Sequence, residues 1–311
     1  MAGRFLFGGN PKNTGKSDPI AFRSPRLSHY NPSMIDWSHW HNEPYLVGGL
    51  VFLGWLWAVM AGPWRARLAP GAPFPKGDAV RFYLGLLIFY LAVGSPLDQI
   101  GERYLFSAHM LQHQLLVYPA AVLILLGLPV WITDVVLARP KWQRSARLVT
   151  HPVSAMVIYT LVIGAWHAPT FYDLALRNKA VHILEHVTFF LAALVYWWPL
   201  LSRSKLVPKS GYGAQMLYLL AVQIAMTPVF AYVTFSTDIL YPTYEFAPRL
   251  IAGFSPGEDQ LLAGVMMKIG GMVVSLITFV IVFYQWYRTG EKEPSLAKRI
   301  RRPGVPQGAV R

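Results

Sequence analysis

The chain has 311 residues, 54% of them hydrophobic and 14% charged, with no cysteine, and a mean hydropathy of +0.36. Soluble domains carry about 25% charged residues, so the composition points to lipid as solvent; the lack of thiols excludes disulfides, thiolate zinc sites and iron–sulfur clusters. The formal net charge of +13 is spread in short clusters between apolar runs, which suits anionic lipid headgroups and not nucleic acid as a partner.

Residues 1–43 read as a polar, poorly ordered N-terminal tail. They contain no apolar core of a signal peptide, so the first span is expected to direct insertion itself. Segments approaching the roughly 20 apolar residues that cross a bilayer then fall at 45–61, 81–94, 106–126, 148–166, 181–201, 213–235 and 261–287. Turn chemistry at Gly62-Pro63, Pro70-Gly71, Gly127-Leu128-Pro129 and Ser255-Pro256-Gly257 separates several of them, and no loop is long enough for a further domain. The expected fold is all-α: a polytopic membrane bundle of about seven helices over residues 44–288, followed by a basic tail at 289–311.

Lys and Arg set the expected orientation. The loops after the first, third and fifth spans and the C-terminal tail together hold 18, among them Arg65, Arg67, Arg139, Lys141, Arg203 and Lys205. The loops after the second, fourth and sixth hold 4: Arg103, Arg177, Lys179 and Arg249. The richer side is cytoplasmic, giving N-out, C-in.

Ionisable residues in spans are costly and are functional candidates. His109 and His113 open the third span, His167 closes the fourth, and His182 and His186 open the fifth. In the expected topology all five lie in the outer leaflet, and each i, i+4 pair shares one helical face. Neutral imidazole ligates copper, zinc and iron. Asp98, Glu185 and Asp259, at the same level, are candidates to orient the rings through their N–H groups. Met110, Met226, Met266 and Met267 are possible soft ligands for cuprous ion, though methionines in spans are more often packing residues. His39 and His41 are expected to be exposed, and Trp37, Trp40, Trp166, Trp197 and Trp198 to form interfacial belts. Lys268, inside the last span, needs a counter-ion, with Asp98 and Glu185 the candidates. His182-Ile-Leu-Glu185-His186 also matches the H-x-x-E-H form of zinc proteases, and one His from each of the third and fifth spans could hold a haem.

The stretches SPLD (95–98), HMLQHQLL (109–116), Gly127-Leu-Pro129, WHAPTFYDLAL (166–176), HILEH (182–186), YWWPL (196–200) and DQLLAG (259–264) resemble, in this order, the CtaG family of multi-span cytochrome c oxidase assembly factors, first associated with caa-type oxidases. The resemblance spans roughly residues 95–270. It implies a non-enzymatic factor of the bacterial inner membrane whose partners are cytochrome c oxidase subunits. It further implies that the factor matures the oxidase copper centre, with copper as the metal held by the histidines.

Overall fold

The computed structural model describes residues 35–38 and 40–292, with side chains as far as Thr289. His29, His39 and most of both expected tails lie outside the described residues. Within them the chain is all-helical, with α1 (Pro44–Ala61), α2 (Lys76–Gly94), α3 (Pro96–Arg103), α4 (Phe106–Leu126), α5 (Val130–Leu137), α6 (Pro140–Val149), α7 (Pro152–Trp166), α8 (Pro169–Arg177), α9 (Lys179–Leu201), α10 (Tyr212–Phe235) and α11 (Pro256–Lys292). Proline at the first helical position, where the missing N–H has no intrahelical partner to lose, opens α1, α3, α6, α7 and α8.

α1, α2, α4, α9, α10 and α11 are long and apolar enough to cross a membrane, and α6 with α7 makes a seventh span if the pair, bent by 69°, is one crossing. The protein is therefore a multi-pass membrane protein. Its outer surface agrees: Val51, Leu161, Ile224 and Leu276 are each at least 60% exposed, a surface that lipid accepts and water does not.

The expected span 148–166 is not one straight helix. Pro152 sterically disfavours helical backbone at the residue before it, and His151 is extended there, at φ −61° and ψ 137°. α7 keeps 15 residues, about 22 Å at 1.5 Å per residue.

A second irregularity lies in α4, where Leu116–Ala120 form a π-helical turn around Pro119. Proline has no N–H to donate and its ring crowds the carbonyl one turn earlier; widening the turn relieves both. The Trp197 indole N–H donates to the Val117 carbonyl of this turn at 2.8 Å. Trp197, expected in an interfacial belt, is thus a core residue, 2% exposed.

The main core lies between α4, α7, α9, α10 and α11 and includes Phe106, Phe189, Tyr196, Trp197 and Met226. A smaller one joins α1, α2 and the end of α4 through Trp57, Phe82 and Ile124. At the Gly127 turn the Trp57 indole donates to the carbonyl at 2.9 Å. A side chain at Gly127 would put its Cβ within 2.5–2.7 Å of Phe82, so glycine is needed for the approach. Lys268 finds neither expected carboxylate. α11 packs on α10, and the ammonium donates to the Gln223 carbonyl at 3.2 Å and the Thr227 hydroxyl at 3.0 Å, above the Phe230 ring. Neutral oxygens and an aromatic face take the place of a counter-ion.

Candidate metal centre

The first turns of α4 and α9 lie side by side at one end of the bundle. Along α9, His182, Glu185, His186 and Phe189 are buried, while Ile183, Leu184 and Val187 face outward. Along α4, His109, Gln112 and His113 are buried and Leu111 is exposed. The helical period thus turns all four imidazoles and one carboxylate toward each other. His109 Nε2 and His113 Nε2 lie 2.9 Å apart, and Glu185 Oε1 is 3.9 and 3.8 Å from them. The His186 ring centre is 5.8 Å from that of His109 and 5.1 Å from that of His113. One potential ligand atom each from His109, His182 and His186 falls within 4.8 Å of the other two, as do those of His109, His113 and Glu185.

The hydrogen bonds around the cluster fix two of these rings. His182 Nδ1 is 2.7 Å from Glu102 Oε1, and His186 Nδ1 is 3.0 Å from the His182 carbonyl. Both neighbours only accept, so both Nδ1 atoms carry the proton and each neutral ring presents a lone pair at Nε2. Neither Nε2 has a hydrogen-bond partner, and neither does either oxygen of Glu185, which is 1% exposed. A buried carboxylate without a donor is expensive unless a cation or a proton joins it. Sequence reasoning gave Glu185 the task of orienting rings; its oxygens instead lie on the Nε2 side of His109 and His113, where a ligand would stand.

The ring-orienting carboxylate is Glu102, which sequence reasoning missed. The available signal was its spacing: Glu102 follows Asp98 by four residues, so on α3 both carboxylates share a face. Asp98 itself accepts from the Gln112 amide and faces His41 Nε2 at 3.4 Å. Burial, with the Glu102 carboxylate beside it, pushes the Asp98 carboxyl up to about 6. Burial also works to raise Glu102, but the hydrogen bond from His182, with His41 and Arg103 nearby, outweighs it and leaves that carboxyl below the ordinary value. His41, expected to be exposed, is partly buried between Asp98 and Glu43. These groups line a cavity of about 550 Å³ that also touches Lys179, His182 and His186, with Leu50, Leu53 and Phe89 on its wall, so the cluster is approached through a space of mixed polar and apolar lining.

Asp259 stands apart from the rings. Its two oxygens accept from the backbone N–H groups of Phe106 at 2.7 Å and Ser107 at 3.0 Å. The first N–H groups of a helix have no intrahelical acceptor, and a carboxylate there also complements the helix dipole. Asp259 therefore caps α4 from α11, holding the turn that carries His109 rather than any imidazole.

α3 approaches α4 so closely that a Cβ on Gly101 would lie 2.9 Å from the His109 Cα. The Tyr172 hydroxyl donates to that of Tyr244, which donates to the Gly101 carbonyl, each at 2.7 Å. The Tyr172 ring centre is 5.2 Å from that of His109, closing this side of the cluster.

The structure thus brings four of the five expected imidazoles together and sets His167 apart. The Phe189 ring lies between, 4.1 Å from the His113 ring centre and 6.1 Å from that of His167. Of the four methionines considered, Met267 touches His167, with its sulfur 3.2 Å from Nε2. His151, left without a role, is exposed.

The chain is thus a multi-pass helical membrane protein with a buried imidazole–carboxylate cluster near one end of the bundle. Residues 55–289 match the Caa3_CtaG family, cytochrome c oxidase caa3 assembly factors, and the chain belongs to that family. No curated protein and no solved structure matches it.

Proposed function

We propose that this member of the oxidase assembly family binds copper at His109, His113, His182, His186 and Glu185 and passes it to the copper centre of cytochrome c oxidase, without catalysing a reaction itself. One observation carries the reading. Two buried donor sets share His109: one ligand atom each from His109, His182 and His186 lies within 4.8 Å of the others, as do those of His109, His113 and Glu185, and the His182 and His186 Nε2 atoms and both Glu185 oxygens have no hydrogen-bond partner. Imidazole nitrogens suit either copper oxidation state, and the carboxylate favours the cupric one. Zinc would fit the same donors; copper is preferred because the family serves a haem–copper oxidase. A haem suits the site less well, because the four rings pack against one another with centres 4.4–5.8 Å apart and leave no slot for a macrocycle.

The excess of Lys and Arg at the opposite end supports an N-out, C-in orientation in the bacterial inner membrane. That end would meet anionic headgroups, and the cluster would open to the outer side, where an oxidase subunit could receive the ion. The test is the copper content of the purified oxidase from cells carrying His109→Ala or His186→Ala, by elemental analysis. Both variants are expected to remain in the membrane and to lower oxidase copper. Normal copper in both rejects the proposal.

A further inference from the structure

Behind the Phe189 ring, His167 presents a separate problem of proton inventory. Its Nδ1 is 2.7 Å from the Ile163 carbonyl and its Nε2 is 3.2 Å from the Met267 sulfur. A neutral imidazole has one N–H, and both neighbours only accept. The carbonyl is closer and much the stronger acceptor, so the proton sits on Nδ1. The Nε2 lone pair then faces a thioether lone pair with no hydrogen between them, on a residue that is 3% exposed.

Two lone-pair donors this close, with no hydrogen between them, are an arrangement that a cation seated beside both resolves. Ligands about 2.0 Å (nitrogen) and about 2.3 Å (sulfur) from one ion are 3.2 Å apart when they subtend roughly a right angle. The space is present: a cavity of about 30 Å³ is bordered by His167, Met267, Met110 and His113, about the volume of one water. No carboxylate lines it, so a divalent ion would find no compensating charge there; the only oxygen side chains on its border are the neutral amide of Gln114 and the hydroxyls of Tyr118 and Tyr159. Thioethers and imidazoles in a wall without charged side chains select a soft, singly charged ion.

We infer that His167 and Met267, with Met110 on the same cavity, form a second site for a soft monovalent cation, Cu(I), distinct from the imidazole cluster. His113 borders both the cluster and this cavity, so the two sites adjoin through one side chain. The inference goes beyond the cluster reading and stands without it.

The experiment loads the full chain in lipid nanodiscs with Cu(I) under reducing conditions. It counts ions per chain and records X-ray absorption at the copper edge, with Ag(I) binding as a second probe. Wild type is expected to show sulfur scattering on the order of 2.3 Å, the length of metal–sulfur bonds. Met267→Leu, which conserves volume, is expected to lose that sulfur signal and one Cu(I) per chain while keeping the nitrogen-bound copper. His109→Ala should do the reverse. Wild-type copper with nitrogen and oxygen neighbours only, or a sulfur signal unchanged in Met267→Leu, overturns the inference. A sulfur-bound ion as the sole ion in wild type, retained in His109→Ala, would instead sink the cluster reading and leave this one standing.

Discussion

Replacing Glu102 tests how far the cluster depends on a residue that lies outside it. Its carboxylate accepts the His182 Nδ1 proton at 2.7 Å, which fixes the tautomer and makes Nε2 more basic. Losing such an outer partner costs about 10–100-fold in metal affinity, equivalent to about 1.4–2.8 kcal/mol. Two variants separate the contributions. In Glu102→Gln the amide oxygen still accepts, so the tautomer survives and only the negative charge is lost; about 10-fold weakening is expected. In Glu102→Leu both go, the ring is free to turn, and the loss should approach 100-fold. Competition for Cu(I) and Cu(II) against a chromophoric chelator, with the protein in detergent, measures both. The ranking matters as much as the size. Wild-type affinity in Glu102→Leu would mean that His182 is not a ligand or that its orientation is held by something else, and the proton assignment at that ring would have to be given up.

Asp259→Ala removes a carboxylate that serves two buried N–H groups; at about 1–3 kcal/mol for each donor left unmade, thermal unfolding should fall clearly, and Asp259→Asn, which keeps one good acceptor, should fall by about half as much. Gly101→Ala sets a methyl against the His109 backbone, where overpacking costs about 1–3 kcal/mol; metal retention should drop with stability, and a wild-type melting curve would show that α3 can move away freely. Trp197→Phe removes the indole donor to the Val117 carbonyl, a net loss of about 0.5–1.5 kcal/mol, measured by the same melt. Lys268→Met is expected to leave oxidase copper unchanged, because among the described residues the ammonium's hydrogen-bond partners are on α10; a copper defect would give this lysine a part in delivery.

The membrane helices were legible because apolar runs of bilayer length admit few other readings, and the end at which the histidines gather followed from counting spans. That His109 and His113, and likewise His182 and His186, share a helical face followed from i, i+4 spacing; that both faces turn inward toward each other did not. What pattern could not supply was distance across the bundle. Asp259 and Glu185 looked alike as acids near a span entrance, yet one meets a helix end 153 residues earlier in the chain and the other meets the rings. Phe189 reads as an ordinary apolar residue on α9, and only packing shows that its ring divides His167 from the other four. The bend before Pro152 was readable in principle, since the residue before a proline resists helix, but the surrounding hydropathy masked it.

The wide turn at Pro119 has a consequence for how α4 is read along its length. A π turn accommodates one extra residue, which advances everything beyond it by about 100° relative to an uninterrupted α-helix. The half bearing His109 and His113 and the half bearing Ala121, Ile124 and Leu125 are therefore out of phase, each matched to its own neighbours. Deleting a single residue from Leu116–Ala120 would restore one registry and force a choice: either the imidazoles swing away from α9, or Ile124 leaves the groove beside Phe82. One inserted residue thus lets a single helix serve two partners that no regular helix could face together.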